Sequence, residues 1–170
     1  MKLLTGRLLA TGSALMLATI ALVTSSETAP PHSPPPEIEK AILARMNEIQ
    51  AAAEALDADQ VFRFVIEDDA GVIAQNGKLF MTRSNALEST RQSFESLRQA
   101  GAHLAYHFDQ QHVTLLSPSL ALVVGEGTTS VSTADGRNSK TQFAQSVLLL
   151  RTNGDWKVFH AHRSFVPPLP

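Results

Sequence analysis

The side chains best equipped for chemistry lie in the last third of the chain. The run Asp155-Trp156-Lys157-Val158-Phe159-His160-Ala161-His162-Arg163-Ser164 follows an Asn-Gly turn and reads as a strand that mixes apolar, imidazole and basic side chains. On a strand, successive side chains point to opposite faces. Strict alternation sends Trp156, Val158, His160 and His162 to one face and Lys157, Phe159, Ala161 and Arg163 to the other. A guanidinium beside Phe159 and Ala161 is suited to gripping a carboxylate, because its planar fork matches two oxygens at once. The plainer expectation is a strand-end arginine paired with a helix carboxylate. Glu126 is the one charged residue between 119 and 132 and shares parity with Leu122 and Val124. A buried, weakly paired carboxyl is an acid–base candidate; equally, Glu126 and Arg163 could neutralise each other.

Other chemistries find less support. His160 and His162 have His-x-His spacing, and His103 and His107 share a parity on an earlier strand. A metal site needs a third ligand and groups to orient it. Nothing else in the chain has ligand spacing, so neither a metal nor another cofactor is expected. There is no cysteine, hence no thiol nucleophile and no disulfide. Gly-x-Ser-x-Gly and phosphate-loop motifs are absent, and the Asn-Gly and Asp-Gly pairs read as turns.

Those residues must be positioned by the elements around them. Ile38, Ile42, Met46, Ile49, Ala53 and Leu56 recur at steps of three and four, which predicts a first helix with one apolar stripe. Asp57 to Gln60 has capping-box spacing and opens a short second helix through Val61, Phe62, Val65 and Ile66. Glu67 to Gly71 interrupts it, and Val72 to Thr82 reads as a small hairpin about Asn76-Gly77. Asn85 with Glu88 has capping-box spacing for a third helix, with Leu87, Phe94 and Leu97 inward and Gly101 as its stop. From His103 the period becomes two. Four strands follow, at about 103–116, 119–132, 139–151 and 155–166, separated by Ser117-Pro118, Asp135-Gly136 and Asn153-Gly154. Helices first and an antiparallel meander after them predict an α+β fold.

Composition narrows the setting. Lys2 and Arg7 precede an uncharged, mostly apolar run from Leu8 to Val23, and Thr24, Ser25 and Ser26 follow. That layout predicts a signal peptide over 1–26; an uncleaved N-terminal anchor is the alternative. Residues 27–36 hold five prolines and read as an extended linker, the domain occupies 37–166, and 167–170 form a tail. The whole chain carries a net charge of −2, with 14 Lys and Arg against 16 Asp and Glu. Without Lys2 and Arg7 the balance is 12 against 16, or −4. No basic footprint for nucleic acid is present, and no membrane association is expected after cleavage. The expected location is the periplasm or the medium.

The element order and several motifs together resemble the nuclear transport factor 2-like superfamily. The nearest likeness is to its SnoaL-like branch and to the calcium/calmodulin-dependent kinase association domain. The motifs are Ala55-Leu56-Asp57-Ala58-Asp59 after the first helix, Ser117-Pro118-Ser119-Leu120-Ala121-Leu122-Val123 at a strand–turn–strand, and the closing Gly154-Asp155-Trp156-Lys157-Val158-Phe159-His160-Ala161-His162-Arg163-Ser164. The resemblance implies a cone-shaped, cystatin-like fold: three N-terminal helices packed on a curved antiparallel sheet, with a pocket at the open end and dimers through the outer sheet face. It implies pocket positions at Arg163, Phe159 and Val147, to which the charge and parity of Glu126 add that residue as a fourth candidate, and an interface at Trp156, Val158, His160 and His162. In the association domain further arginines enter the pocket; one of those positions is Val147 here. A steroid-isomerase pattern does not carry over. The one tyrosine, Tyr106, lies on a strand, and Asp69 and Asp109 have no counterparts.

The fold by itself does not choose a function. The leading expectation is an exported homodimeric domain that binds a small, partly apolar molecule, an anion being one option, without established catalysis. The second is a SnoaL-like cyclase, dehydratase or isomerase using a pocket acid or base. The third is a structural assembly module.

Overall fold

The computed structural model describes residues 33–67, 73–75 and 77–166. The expected signal peptide, most of the proline-rich linker, the C-terminal tail, Asp69 and Asn76 lie outside them. The described elements run α1 (Pro36–Glu54), α2 (Ala58–Arg63), β1 (Ile73–Gln75), β2 (Lys78–Phe80), α3 (Arg83–Gln99), β3 (His103–Ser117), β4 (Leu120–Ser132), β5 (Asn138–Thr152) and β6 (Asp155–Phe165). No helix among the described residues is long and apolar enough to cross a membrane.

Each helix begins where its local chemistry allows. Pro36 opens α1, at the position where a missing N–H costs nothing, and Glu37 and Glu39 sit in its first turn, where the helix dipole favours negative charge. Asp57 caps α2 by accepting from the Gln60 N–H at 2.9 Å. The cap of α3 is Thr82, which accepts from the Asn85 N–H at 3.2 Å. Asn85 therefore lies inside the helix, three residues past the cap, and the expected Asn85–Glu88 box does not form. A threonine in extended conformation just upstream already satisfies the free amide. The α1 terminus closes with Leu56 N–H to Ala53 C=O and Asp57 N–H to Ala52 C=O, both 2.9 Å. This forces Leu56 to φ +56°, a place that glycine usually takes. Its buried side chain, packed with Phe94 and Leu104, offsets that strain.

The six strands form one sheet in the order β2-β1-β6-β5-β4-β3. The four long strands pair antiparallel as the turn spacing predicts, and Asn153 and Gly154 both adopt positive φ, as a type I′ turn requires. The sheet is mixed, however. β1 pairs with β6 in parallel, Ile73 against Ala161 and Gln75 against Arg163. Helix α3 lies between β2 and the meander, so the β1–β2 hairpin joins the sheet from the side, where a parallel approach is the geometry left open.

Three register shifts interrupt the ladders: one leaves Leu116 extra beside the β3–β4 turn, and the other two bear on the shape of the site. Pairing of β3 with β4 slips between Phe108 and Gln110, leaving Asp109 extra. Opposite this bulge the strands approach so closely that a Cβ on Gly127 would fall 2.0 Å from the His107 carbonyl oxygen, so only glycine fits. Pairing of β5 with β6 slips between Leu148 and Leu149, leaving Phe159 extra. A bulge re-aims the side chains that follow it, and this one has consequences for the site.

The main core joins Ile42 and Met46 of α1, Phe62 of α2 and Ala86 of α3 to Val113, Val123, Val147, Leu149, Trp156 and Val158 of the sheet. Trp156 and Val158 therefore face the helices. The expected row of Trp156, Val158, His160 and His162 on one outer face is corrected. The bulge at Phe159 splits it, leaving the first pair inside the core and only the histidines on the far side.

Candidate functional site

A cavity of about 220 Å³ opens between the helices and the concave face of the sheet. Met46 and Ile49 of α1, Phe62 of α2 and Phe94 of α3 form its helical wall. Val147, Val158 and Ala161 continue the apolar lining on the sheet side, and Tyr106, Gln145 and Arg163 form a polar corner.

The corner is assembled from three strands. Gln145 of β5 lies opposite Arg163 of β6 in the ladder. Arg163 donates from Nε at 3.1 Å and from Nη2 at 2.6 Å, both to Gln145 Oε1. Its Cζ lies 4.9 Å from the Tyr106 ring centroid and 4.9 Å from that of Phe143. Phe143 is itself packed edge-on against Tyr106 and Phe108, with centroids 6.1 and 5.2 Å apart. Cation–π contact and the amide thus fix the guanidinium. Among the described residues no carboxylate lies within ion-pairing distance of it. Gln145 is 7 % exposed, and its Nε2 is buried with no hydrogen-bond partner among the described residues.

Tyr106 is held from behind. β3 is an edge of the sheet, and its free backbone groups meet α1. The Tyr106 N–H donates to Glu54 Oε1 at 2.8 Å, and the Tyr106 carbonyl accepts from Gln50 Nε2 at 3.2 Å. Gln50 also donates to Glu54 at 3.0 Å. Two helix side chains thus continue the ladder and cover an exposed edge.

Of the four expected ligand residues, the structure brings Arg163 and Val147 to the cavity and leaves out Phe159 and Glu126. Phe159 is the bulged residue and loses the facing that regular alternation gives it. Glu126 does share a face with Leu122 and Val124, but that face is the convex one: the neighbours Ala121 and Val123 are the buried pair. Glu126 is exposed and accepts from Gln110 Nε2 at 2.7 Å. Neither the ion pair with Arg163 nor a buried acid–base role is formed. Exposed His162 borders both the cavity and a shallow depression on the convex face. His103 and His107 lie on β3, beyond β5 and β4 from the His160–His162 pair.

Sequence reasoning misses Gln145, although a signal exists. Gln145 interrupts the inward row Phe143, Val147 and Leu149 on one strand. A polar residue within such a row is either satisfied or poised for a ligand. Tyr106 fits no isomerase pattern, yet it forms one wall of the corner.

Comparison with known proteins agrees with this architecture. A model of the SnoaL-like domain family matches residues 42–168. No curated protein matches the chain. Among solved structures, Aln2 from a Streptomyces species superposes with a TM-score of 0.69 at 13 % identity, covering 78 % of this chain and 94 % of that one. A protein of the NTF2-like family from Streptomyces avermitilis, provisionally named a dehydratase, gives 0.67 at 15 % identity over 78 % and 99 % of the two chains. An NTF2-like protein of unknown function from Shewanella oneidensis gives 0.58 at 16 % identity over 75 % and 98 %. At such identities the likeness speaks for the fold. With the family match spanning most of its length, the chain belongs to the SnoaL-like domain family, and its curved six-stranded sheet packed on helices is the fold that the NTF2-like structures share with it.

Proposed function

We propose that this protein is an exported pocket domain that binds a small, partly apolar anion between its helices and the concave face of its sheet. One observation carries the reading: the half-buried Arg163 guanidinium lines a mostly apolar cavity with no carboxylate partner among the described residues. A charge drawn partly out of water without a counter-ion is costly, and an anionic ligand relieves that cost. The rest of the lining supports an apolar ligand body.

The test is a thermal-shift screen of small organic acids on wild type and on Arg163→Ala. Acids are expected to stabilise wild type and to lose about 1.5–3 kcal/mol of binding on the variant, roughly ten- to a hundredfold in affinity. Equal stabilisation of both proteins would reduce Arg163 to a structural residue.

Dimerisation through the convex face is part of the same proposal. With Trp156 and Val158 in the core, that face offers Leu122 and Val124 of β4, Leu148 of β5, and His160 and His162 of β6 in adjacent register. Light scattering of the mature protein at micromolar concentration is expected to give twice the chain mass. A monomeric mass that persists at higher concentration would sink the idea. Export is tested by intact mass of the secreted protein, which is expected to begin near residue 26.

A further inference from the structure

We propose that Gln145 is the second half of the anion site, and that the pair Gln145–Arg163 selects a monocarboxylate on a body no larger than one ring or a short chain. This rests on the pocket reading above and names its ligand class.

The argument begins with which donors remain. A guanidinium donates only in its own plane. Tyr106 and Phe143 lie 4.9 Å from Arg163 Cζ and take up contact with the cation. The edge made by Nε and Nη2 is occupied, since both donate to Gln145 Oε1. The edge left for a ligand is the one made by Nη1 and Nη2, whose two parallel N–H groups match the two oxygens of a carboxylate.

Gln145 adds a donor. Because Arg163 has nothing but donors, the amide must present its oxygen to it, which fixes the orientation of the amide. Nε2 is therefore turned away from Arg163, and it is buried with no partner among the described residues. Gln145 lines the cavity and is more than nine-tenths buried. A buried donor left unpaired costs roughly as much as a lost hydrogen bond, so a ligand acceptor toward which Nε2 turns gains twice, once from Arg163 and once from Gln145.

Charge and volume narrow the class. One guanidinium balances one negative charge; a phosphate dianion would carry an uncompensated charge into an apolar cavity. A space of about 220 Å³ corresponds to roughly seven waters at ~30 Å³ each. That is below the ~300–1,000 Å³ of pockets for drug-sized ligands.

The experiment compares benzoate with benzamide, and phenylacetate and hexanoate with their amides, by calorimetric titration and thermal shift. Inorganic phosphate is the dianion control. The proteins are wild type, Gln145→Glu and Arg163→Ala. Gln145→Glu keeps the oxygen that Arg163 needs, turns the free donor into an acceptor and adds a charge that itself opposes an acid, so the amide-proton readout is what assigns the contact. Wild type is expected to prefer an acid over its amide at least tenfold and to ignore phosphate. On Gln145→Glu the acid is expected to weaken about ten- to a hundredfold and the preference to level or reverse. In wild type the Gln145 side-chain amide proton resonances are expected to move as the acid saturates, a readout that needs no variant. Acid binding that Arg163→Ala abolishes but Gln145→Glu leaves within about threefold, with unmoved Gln145 amide protons, would overturn the role of Gln145 and leave the pocket reading intact. Equal binding of acid and amide by wild type, or tighter binding of phosphate, would overturn the ligand class. If no acid binds wild type, both readings fall together.

Discussion

Val158 and Ala161 are three residues apart on one strand, yet both line the same cavity. Regular alternation puts residues three apart on opposite faces. Phe159, extra in the pairing with β5, absorbs the odd residue and lets Trp156 and Val158 complete the core while Ala161 and Arg163 face the pocket. A short stretch of β6 thereby serves both stability and the site.

Phe159 should therefore be dispensable for binding. Phe159→Ala is expected to leave acid affinity within about twofold of wild type, because the bulged side chain is outside the cavity lining. Calorimetric titration checks this. A loss comparable to that of Arg163→Ala would mean that the alternation persists through Phe159.

Trp156→Ala should damage the fold and not merely an interface. Trp156 is 5 % exposed within the main core, and such truncations cost about 3–5 kcal/mol. Denaturant unfolding at two protein concentrations separates the alternatives. A core role gives a loss at both; an interface role gives a loss that disappears on dilution.

Gly127→Ala should be among the most destabilising of the glycine replacements. The new methyl carbon would fall 2.0 Å from the His107 carbonyl oxygen, a backbone atom that cannot swing aside. Overpacking of this kind costs about 1–3 kcal/mol or more. At Gly136 nothing lies within 4 Å, so Gly136→Ala meets only its positive φ, at about 1–2 kcal/mol. Melting of the two variants side by side is the measurement; an equal effect would contradict the close approach of β3 and β4.

Glu54→Ala should loosen the edge that carries Tyr106. It strips the acceptor from the Tyr106 N–H, and a partly buried donor without a partner costs about 1–3 kcal/mol. Hydrogen exchange at Tyr106 is expected to speed up at least tenfold, with amides of the central strands β4 and β5 less affected. Unchanged exchange at Tyr106 would show that the edge is held by other contacts.

Arg163→Lys should restore little of the affinity lost in Arg163→Ala. An ammonium cannot form the planar two-point contact, nor can it donate to Gln145 and a ligand in fixed directions. Titration with benzoate reads the difference. Recovery to within about threefold of wild type would mean that charge alone suffices.

Local signals in the sequence determined the elements. The apolar stripe of α1, the Asp57 cap, Gly101 and the Asn153-Gly154 turn are each written within a few neighbouring residues, because helix period, caps and turns are short-range physics. The four long strands and their order follow from turn spacing for the same reason. What only the tertiary structure decided is which way the side chains face and whom they meet. A bulge depends on how a strand registers with its partner, so the adjacent apolar pair Val158-Phe159 in β6 did not by itself mark Phe159 as the extra residue or move Trp156 into the core. Both parities of β4 carry apolar residues, and only the helices packed against Ala121 and Val123 made Glu126 an outer residue. Arg163 meets Gln145 across a ladder and Tyr106 from a third strand, 18 and 57 positions away in the chain. Pairings at that distance are set by sheet register and curvature, which arise when the whole sheet closes over the helices.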